Sequence, residues 1–167
     1  MTTPALRLLP LTTTTLDAVA FDPVTWAGIR GFNLGTCVKL ISTVAQQTRE
    51  MRGAAPAQPP WCGYLAIQAD GLIVGTCAFK APPNAAGEVE IAYFTFPPYE
   101  HRGIATAMAS DLVKTAWEAP NVRQVMAHTL PEENASTHIL KHLQFRCLGT
   151  IQDPEDGPIW RWALVRQ

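Results

Sequence analysis

The apolar positions of this chain change their period several times, and each change marks the border of an element. Leu6 to Leu11 is a short, mostly apolar run with the length of a strand. The threonines from Thr12 to Thr15 carry little pattern and read as a linker or a strand end. Asp22-Pro23 predicts a helix start, because an Asp cap accepts from orphan amides and a proline at the first helical position gives up no bond. That helix runs through Trp26, Ile29 and Phe32. Gly31 and Gly35 weaken its continuation, and a second amphipathic stretch with Val38, Ile41, Val44 and Met51 on its apolar side stops at Gly53. The Ala/Pro segment from Ala54 to Pro60 reads as a loop.

Beyond that loop the period becomes two. Trp61 to Ala69 and Leu72 to Phe79 form strands joined at Asp70-Gly71, a tight hairpin signal, and Pro82-Pro83-Asn84 makes a further turn. From Glu88 to Phe96 the residues alternate, with Val89, Ile91 and Tyr93 on one face and Glu88, Glu90 and Ala92 on the other, until Pro97-Pro98 stops them. A helix opens at Gly103 with Ile104, Met108, Leu112, Val113 and Ala116 as its apolar stripe, and Pro120 lies past its end. Val122 to Leu130 is a strand, and Pro131-Glu132-Glu133-Asn134 leads into a short helix carrying Ile139, Leu140 and Leu143. Two last strands, Arg146 to Gln152 and Pro158 to Val165, flank the turn-rich Asp153 to Gly157. The order predicts an α/β fold: a mixed, mostly antiparallel sheet of six to seven strands flanked by about four helices.

Composition narrows the picture. A length of 167 residues points to one domain over 1–167, and 47% apolar residues with five tryptophans exclude disorder. A net charge of -1 lacks the basic excess that draws proteins onto nucleic acid or anionic membranes, so neither partner is expected, and an anionic ligand needs local geometry instead of bulk field. No apolar run approaches the roughly 20 residues of a membrane span and the start resembles no signal peptide, so a cytoplasmic location is expected. Cys37, Cys62, Cys77 and Cys147 include no CxxC pair and read as buried reduced thiols. His138 and His142 stand four apart without a third ligand, which reads as a wet helix face; no metal is expected.

The richest stretch runs from Glu88 to Met108. A strand enters a loop whose Arg102-Gly103-Ile104-Ala105-Thr106 opens a helix, so unpaired amides and the positive end of the helix dipole face one point, as in a phosphate-binding turn. Gly103 lets backbone approach a ligand, Ala105 leaves the approach open, and His101 and Arg102 add donors at the rim. The spacing is neither the dinucleotide fingerprint nor a P-loop, since the G-x-G-x-x-G pattern and the Lys-Ser/Thr pair are both missing.

Three blocks in order, Gly87 to Tyr93, Glu100 to Ala107, and Leu130 to Ser136 with Ile139-Leu140 and Leu143-Gln144-Phe145, resemble the GCN5-related N-acetyltransferase superfamily. Within it the chain is similar to the ribosomal-protein N-terminal acetyltransferase-like branch, and the element order agrees from about Leu6 to Val165. Glu100 stands where that family has Gln or Arg, and Gln144 where a glycine usually precedes the phenylalanine. The resemblance implies direct acetyl transfer from acetyl-CoA, as co-substrate and without a metal, to a primary amine on a protein N-terminus or a small molecule. The amides of His101, Arg102, Gly103, Ile104, Ala105 and Thr106 would hold the pyrophosphate, the backbone of Phe94, Thr95 and Phe96 would pair with the pantetheine arm, and Asn134 would join the cofactor-binding set.

Deprotonating an amine whose pKa is about 8 to 10 asks for a base. Glu90 is the first candidate, since the family often carries a carboxylate here that takes the proton through water; otherwise Glu88 and Glu90 are a solvated face. His128, at the end of the strand expected to splay from that of Glu90, is the second candidate, or else a core or substrate contact. Ser136 matches a serine proposed to protonate the departing thiolate, its other role being helix capping shared with Asn134, and the tyrosine acid of many members is replaced by Phe145. Trp26, Phe32 and Trp61 line an acceptor pocket or fill the core, and Trp160 and Trp162 are packing or a homodimer contact. The other functional reading is an acyl-CoA-binding or sensing module that has kept the fold and lost turnover.

Overall fold

A computed structural model describes residues 4–53 and 58–167, so the loop expected from Ala54 onward lies partly outside the described residues. The elements are β1 (Arg7–Pro10), α1 (Thr13–Phe21), α2 (Pro23–Arg30), α3 (Val38–Arg52), β2 (Gly63–Ile67), β3 (Ile73–Phe79), β4 (Glu88–Thr95), a 3-10 turn (Pro97–Tyr99), α4 (Ile104–Glu118), β5 (Gln124–Thr129), α5 (Ala135–His142), β6 (Arg146–Asp153) and β7 (Gly157–Val165). The strands form one mixed sheet of seven in the order β1-β2-β3-β4-β5-β7-β6. β4 and β5 run parallel, while β1 with β2, β2 with β3, β5 with β7 and β6 with β7 pair antiparallel.

The backbone divides into two compact units. The first holds the described residues up to Ala78 together with Tyr93–Met108, and the second holds Phe79–Ala92 with Ala109–Gln167. In the first, Leu16, Val19 and Ala20 of α1, Trp26 and Ala27 of α2 and Ile41 and Ala45 of α3 are buried, as is all of β2. In the second, Leu112 and Ala116 of α4 are buried, with Val125 and Ala127 of β5 and Trp162 and Ala163 of β7.

Helix α1 is a correction, because Thr12 to Thr15 reads as a linker or a strand end in the sequence. β-Branched residues make weak helix formers, yet the Thr12 hydroxyl caps the helix by accepting from the Thr15 amide, and Leu16, Val19 and Ala20 lie one turn apart on its buried side. Asp22 caps α2 as expected, its carboxylate accepting from the Thr25 amide at 3.1 Å. That helix is shorter than its apolar pattern suggests: Gly31 takes a left-handed conformation at φ 70 and closes it before Phe32. Ile29 and Met51, both placed on apolar stripes by the sequence, are 81% and 84% exposed, because Ala27 and Ala45 lie on the faces that the core takes.

Trp26 and Phe32 pack with ring centroids 5.4 Å apart and Trp26 is buried, which gives it a core role. Trp162 is also interior, its indole N–H donating to the Thr129 hydroxyl at 3.0 Å and its ring meeting Trp160 edge-on. Cys37, Cys62 and Cys77 are buried free thiols, whereas Cys147 is exposed because β6 offers its residues to solvent. Among the described residues no helix is long and apolar enough to cross a membrane.

Candidate active site

In the first unit the end of β4 feeds the loop singled out by sequence. Pro97 and Pro98 suit the first positions of a 3-10 turn, which have no amide to bond, and Tyr99 is buried at its end. A Cβ built on Gly35 would sit 2.2 Å from the Tyr99 hydroxyl, so the tyrosine needs a glycine beneath it. The Arg102 guanidinium lies 5.7 Å over the Tyr99 ring and donates to the Pro98 carbonyl, which folds that side chain back onto its own loop.

His101 has φ 61 and Gly103 has φ 75, two left-handed residues separated by one. Left-handed steps in such a loop turn successive amides toward one concavity, and the strain at a non-glycine residue such as His101 is tolerated at functional sites. The Ala107 amide donates to the Gly103 carbonyl at 3.0 Å and starts α4, while the amides of residues 101–106 enter no hydrogen bond among the described residues. Partnerless amides over a helix N-terminus fit an anionic phosphate group.

The residues expected to pair with an extended ligand do not all face the same way. The Phe96 amide donates to Val74 at 2.9 Å, and the Phe94 carbonyl lies 2.7 Å from where a Gly75 Cβ would stand, so both use the β3 side. Strand alternation turns the backbone of Thr95 to the other side. The Thr95 hydroxyl is buried and has no hydrogen-bond partner among the described residues.

In the second unit, β4 and β5 pair from Glu88 opposite Gln124 to Glu90 opposite Met126, and β5 continues past this ladder to Thr129. Glu90 and His128, read from sequence as alternatives, are bonded to each other: Nδ1 of His128 lies 2.8 Å from Oε1 of Glu90. Lys80, just past β3, pairs its ammonium with the same oxygen and donates its backbone N–H to the Glu90 carbonyl at 3.0 Å. Nε2 of His128 is buried without a hydrogen-bond partner among the described residues.

Around this cluster, Arg161 stands opposite His128 on β7 and reaches Glu88 at 3.5 Å. The Asp153 carboxyl is held below the usual carboxylate range, first by the amide of Asp156, then by that of Glu155, and to a smaller degree by Lys80 and His128. Lys80 was missed by sequence reasoning. Only the folded register, in which the turn at residues 82–87 brings Lys80 back beside Glu90, reveals it.

Asn134 caps α5 in a reciprocal box: its side chain accepts from the Thr137 amide, and the Thr137 hydroxyl accepts from the Asn134 amide. Ser136 is half-buried in the first turn, and its hydroxyl makes no hydrogen bond among the described residues. Phe145 is buried, and Gln144 before it has φ 68. No group of three or more His, Cys, Asp or Glu side chains suited to a metal occurs among the described residues.

A family model described as acetyltransferase (GNAT) domain matches residues 6–146. A curated relative, an uncharacterized N-acetyltransferase p20 of Bacillus licheniformis, is 26% identical over 83 residues, which are 50% of this chain and 47% of the relative, so the match spans about half that protein's length. A GNAT-family acetyltransferase of Bacillus anthracis aligns with TM-score 0.64 at 14% identity, covering 99% of this chain and 97% of its own. RimL, a ribosomal L7/L12 alpha-N-protein acetyltransferase solved with coenzyme A, aligns with TM-score 0.66 at 14% identity over 96% and 93%. Aminoglycoside acetyltransferase AAC(6')-Ib, also with coenzyme A, aligns with TM-score 0.66 at 16% identity over 98% and 96%. At these identities the solved structures attest the fold.

Proposed function

The chain belongs to the GNAT acetyltransferase family, and from that premise we propose that it moves an acetyl group directly from acetyl-CoA to a primary amine. The observation that carries the reading is the set of partnerless amides at residues 101–106, shaped by the left-handed His101 and Gly103 at the head of α4. The family match runs through both compact units, which supports one acetyltransferase domain over the whole chain.

Acetyl-CoA supplies the thioester carbonyl that the amine attacks. The amides of His101, Arg102, Gly103, Ile104, Ala105 and Thr106 hold its pyrophosphate, and the Thr95 backbone, whose neighbours Phe94 and Phe96 serve β3, pairs with its pantetheine arm. Asn134 has its side-chain oxygen engaged by the helix and contributes through its amide nitrogen. The base resides in the Glu90–His128 pair, and Ser136, whose hydroxyl has no partner among the described residues, returns a proton to the departing sulfur.

The neighbours named above include enzymes acting on a protein N-terminus and on aminoglycosides, so the acceptor belongs to the broad class of peptide or small-molecule amines. A panel of such amines with detection of released thiol tests the reading. Thiol release with at least one amine is expected. Tight acetyl-CoA binding with no release from any amine would favour a sensing module, the alternative favoured by the buried Phe145 where many members carry a tyrosine acid.

A further inference from the structure

We infer that the atom taking the acceptor's proton is Nε2 of His128, with Glu90 and Lys80 as positioning residues behind it. This rests on the acetyl-transfer reading and assigns its base, which sequence alone places first on Glu90. The geometry argues for the imidazole. Oε1 of Glu90 already faces Nδ1 of His128 at 2.8 Å and the ammonium of Lys80. A carboxylate can only accept from Nδ1, so the proton of the neutral ring sits there and the lone pair is on Nε2.

That nitrogen is buried and makes no hydrogen bond among the described residues. A buried polar atom left without a partner is costly, and such atoms persist where a function needs them. Lys80 fixes the carboxylate from a second direction, and its backbone N–H on the Glu90 carbonyl keeps the two residues in register. The pair sits where the β4–β5 ladder stops, at Glu90 opposite Met126.

The charge around the ring is shared among strands. Glu88 and Arg161 form one pair, Lys80 and Glu90 another, and Asp153 on β6 feels both Lys80 and His128. Removing the Lys80 charge leaves the Glu90 carboxylate facing the imidazole without its second counter-charge, which favours imidazolium. In the transfer, the amine nitrogen bonds to the carbonyl carbon while one of its protons passes to Nε2. The carbon–sulfur bond then breaks, the Nδ1 proton stays on the ring with Glu90 accepting it throughout, and the Nε2 proton is relayed through the Ser136 hydroxyl to the thiolate. Amine and thioester give amide and thiol with no other reactant.

The test combines nitrogen NMR of 15N-histidine protein with steady-state kinetics. There are four histidines, and His128→Gln identifies the signal of interest. The wild type should show His128 protonated on Nδ1 in its neutral form. Lys80→Met should raise its titration midpoint and move the acidic limb of the kcat profile upward by the same amount, with KM for acetyl-CoA unchanged, and Lys80→Arg should restore both.

His128→Gln should lower kcat by about 10²-fold or more, the usual share of a general base, while acetyl-CoA still binds. A neutral ring protonated on Nε2, a midpoint indifferent to Lys80→Met, or near-normal kcat in His128→Gln beside a dead Glu90→Gln would each overturn the assignment. If the wild type acetylates no amine, the acetyl-transfer reading fails on its own, whereas the tautomer and the titration still judge the Lys80–Glu90–His128 arrangement without turnover.

Discussion

Gln144 holds a left-handed backbone, φ 68, at the end of α5. Its amide bonds the Lys141 carbonyl and the next amide, of Phe145, bonds that of Leu140, the two bonds of a helix-ending Schellman turn whose turning residue is usually glycine. The family resemblance places a glycine at this position, and the structure supplies the reason. Gln144→Gly should therefore stabilise the protein by about 1 kcal/mol, roughly 2–4 °C in a thermal scan at this size. An unchanged or lower Tm would contradict it. The sequence marked this site because backbone strain has a residue-type signature. It could not show that Glu90 and His128 are partners, since their bond spans 38 positions and depends on β4 lying beside β5. Lys80 was illegible for the same reason: a lysine near a turn looks like any solvated charge until the register puts it on Glu90.

At the scale of elements, strands and helices with strong punctuation were readable. Asp22-Pro23, Asp70-Gly71 and Gly103 each sit where their chemistry places them, at a cap, a hairpin turn and a helix head. Helix α1 was lost because its threonines prefer extended backbone and its start depends on one hydroxyl, that of Thr12. The caps also predict a pH effect. The Asp22 carboxyl is held below its usual range, first by the Thr25 backbone amide and then by the Thr25 side chain. A depressed folded-state value means that this stabilisation is present above the ordinary carboxylate range and is lost as pH falls through the depressed value. Asp22→Asn keeps an acceptor at the cap, so its stability should decline less than that of the wild type between about pH 5 and pH 2. Urea midpoints along that interval measure the difference, and parallel curves for the two proteins would refute it.

For the whole molecule, a net charge of -1 first posed the question of how such a chain could hold a polyanion. Residues 101–106 answer it with backbone amides and a helix dipole, a local field that needs no basic surface. Binding should accordingly weaken little with added salt, because few exposed cations take part; a loss of several orders of magnitude between low and moderate salt would point to lysines and arginines instead. The most direct test is a calorimetric titration of acetyl-CoA into the wild type and Gly103→Asp. An aspartate tolerates the left-handed backbone of Gly103 better than most residues, and its Cβ would stand 3.3 Å from Cδ of Pro4, so the variant should fold while placing a carboxylate at the edge of the phosphate cradle. Saturable binding by the wild type and at least a tenfold loss in the variant, about 1.4 kcal/mol or more, is the expected result. No binding by the wild type, or equal affinity in both, would contradict the reading of this loop as the cofactor site.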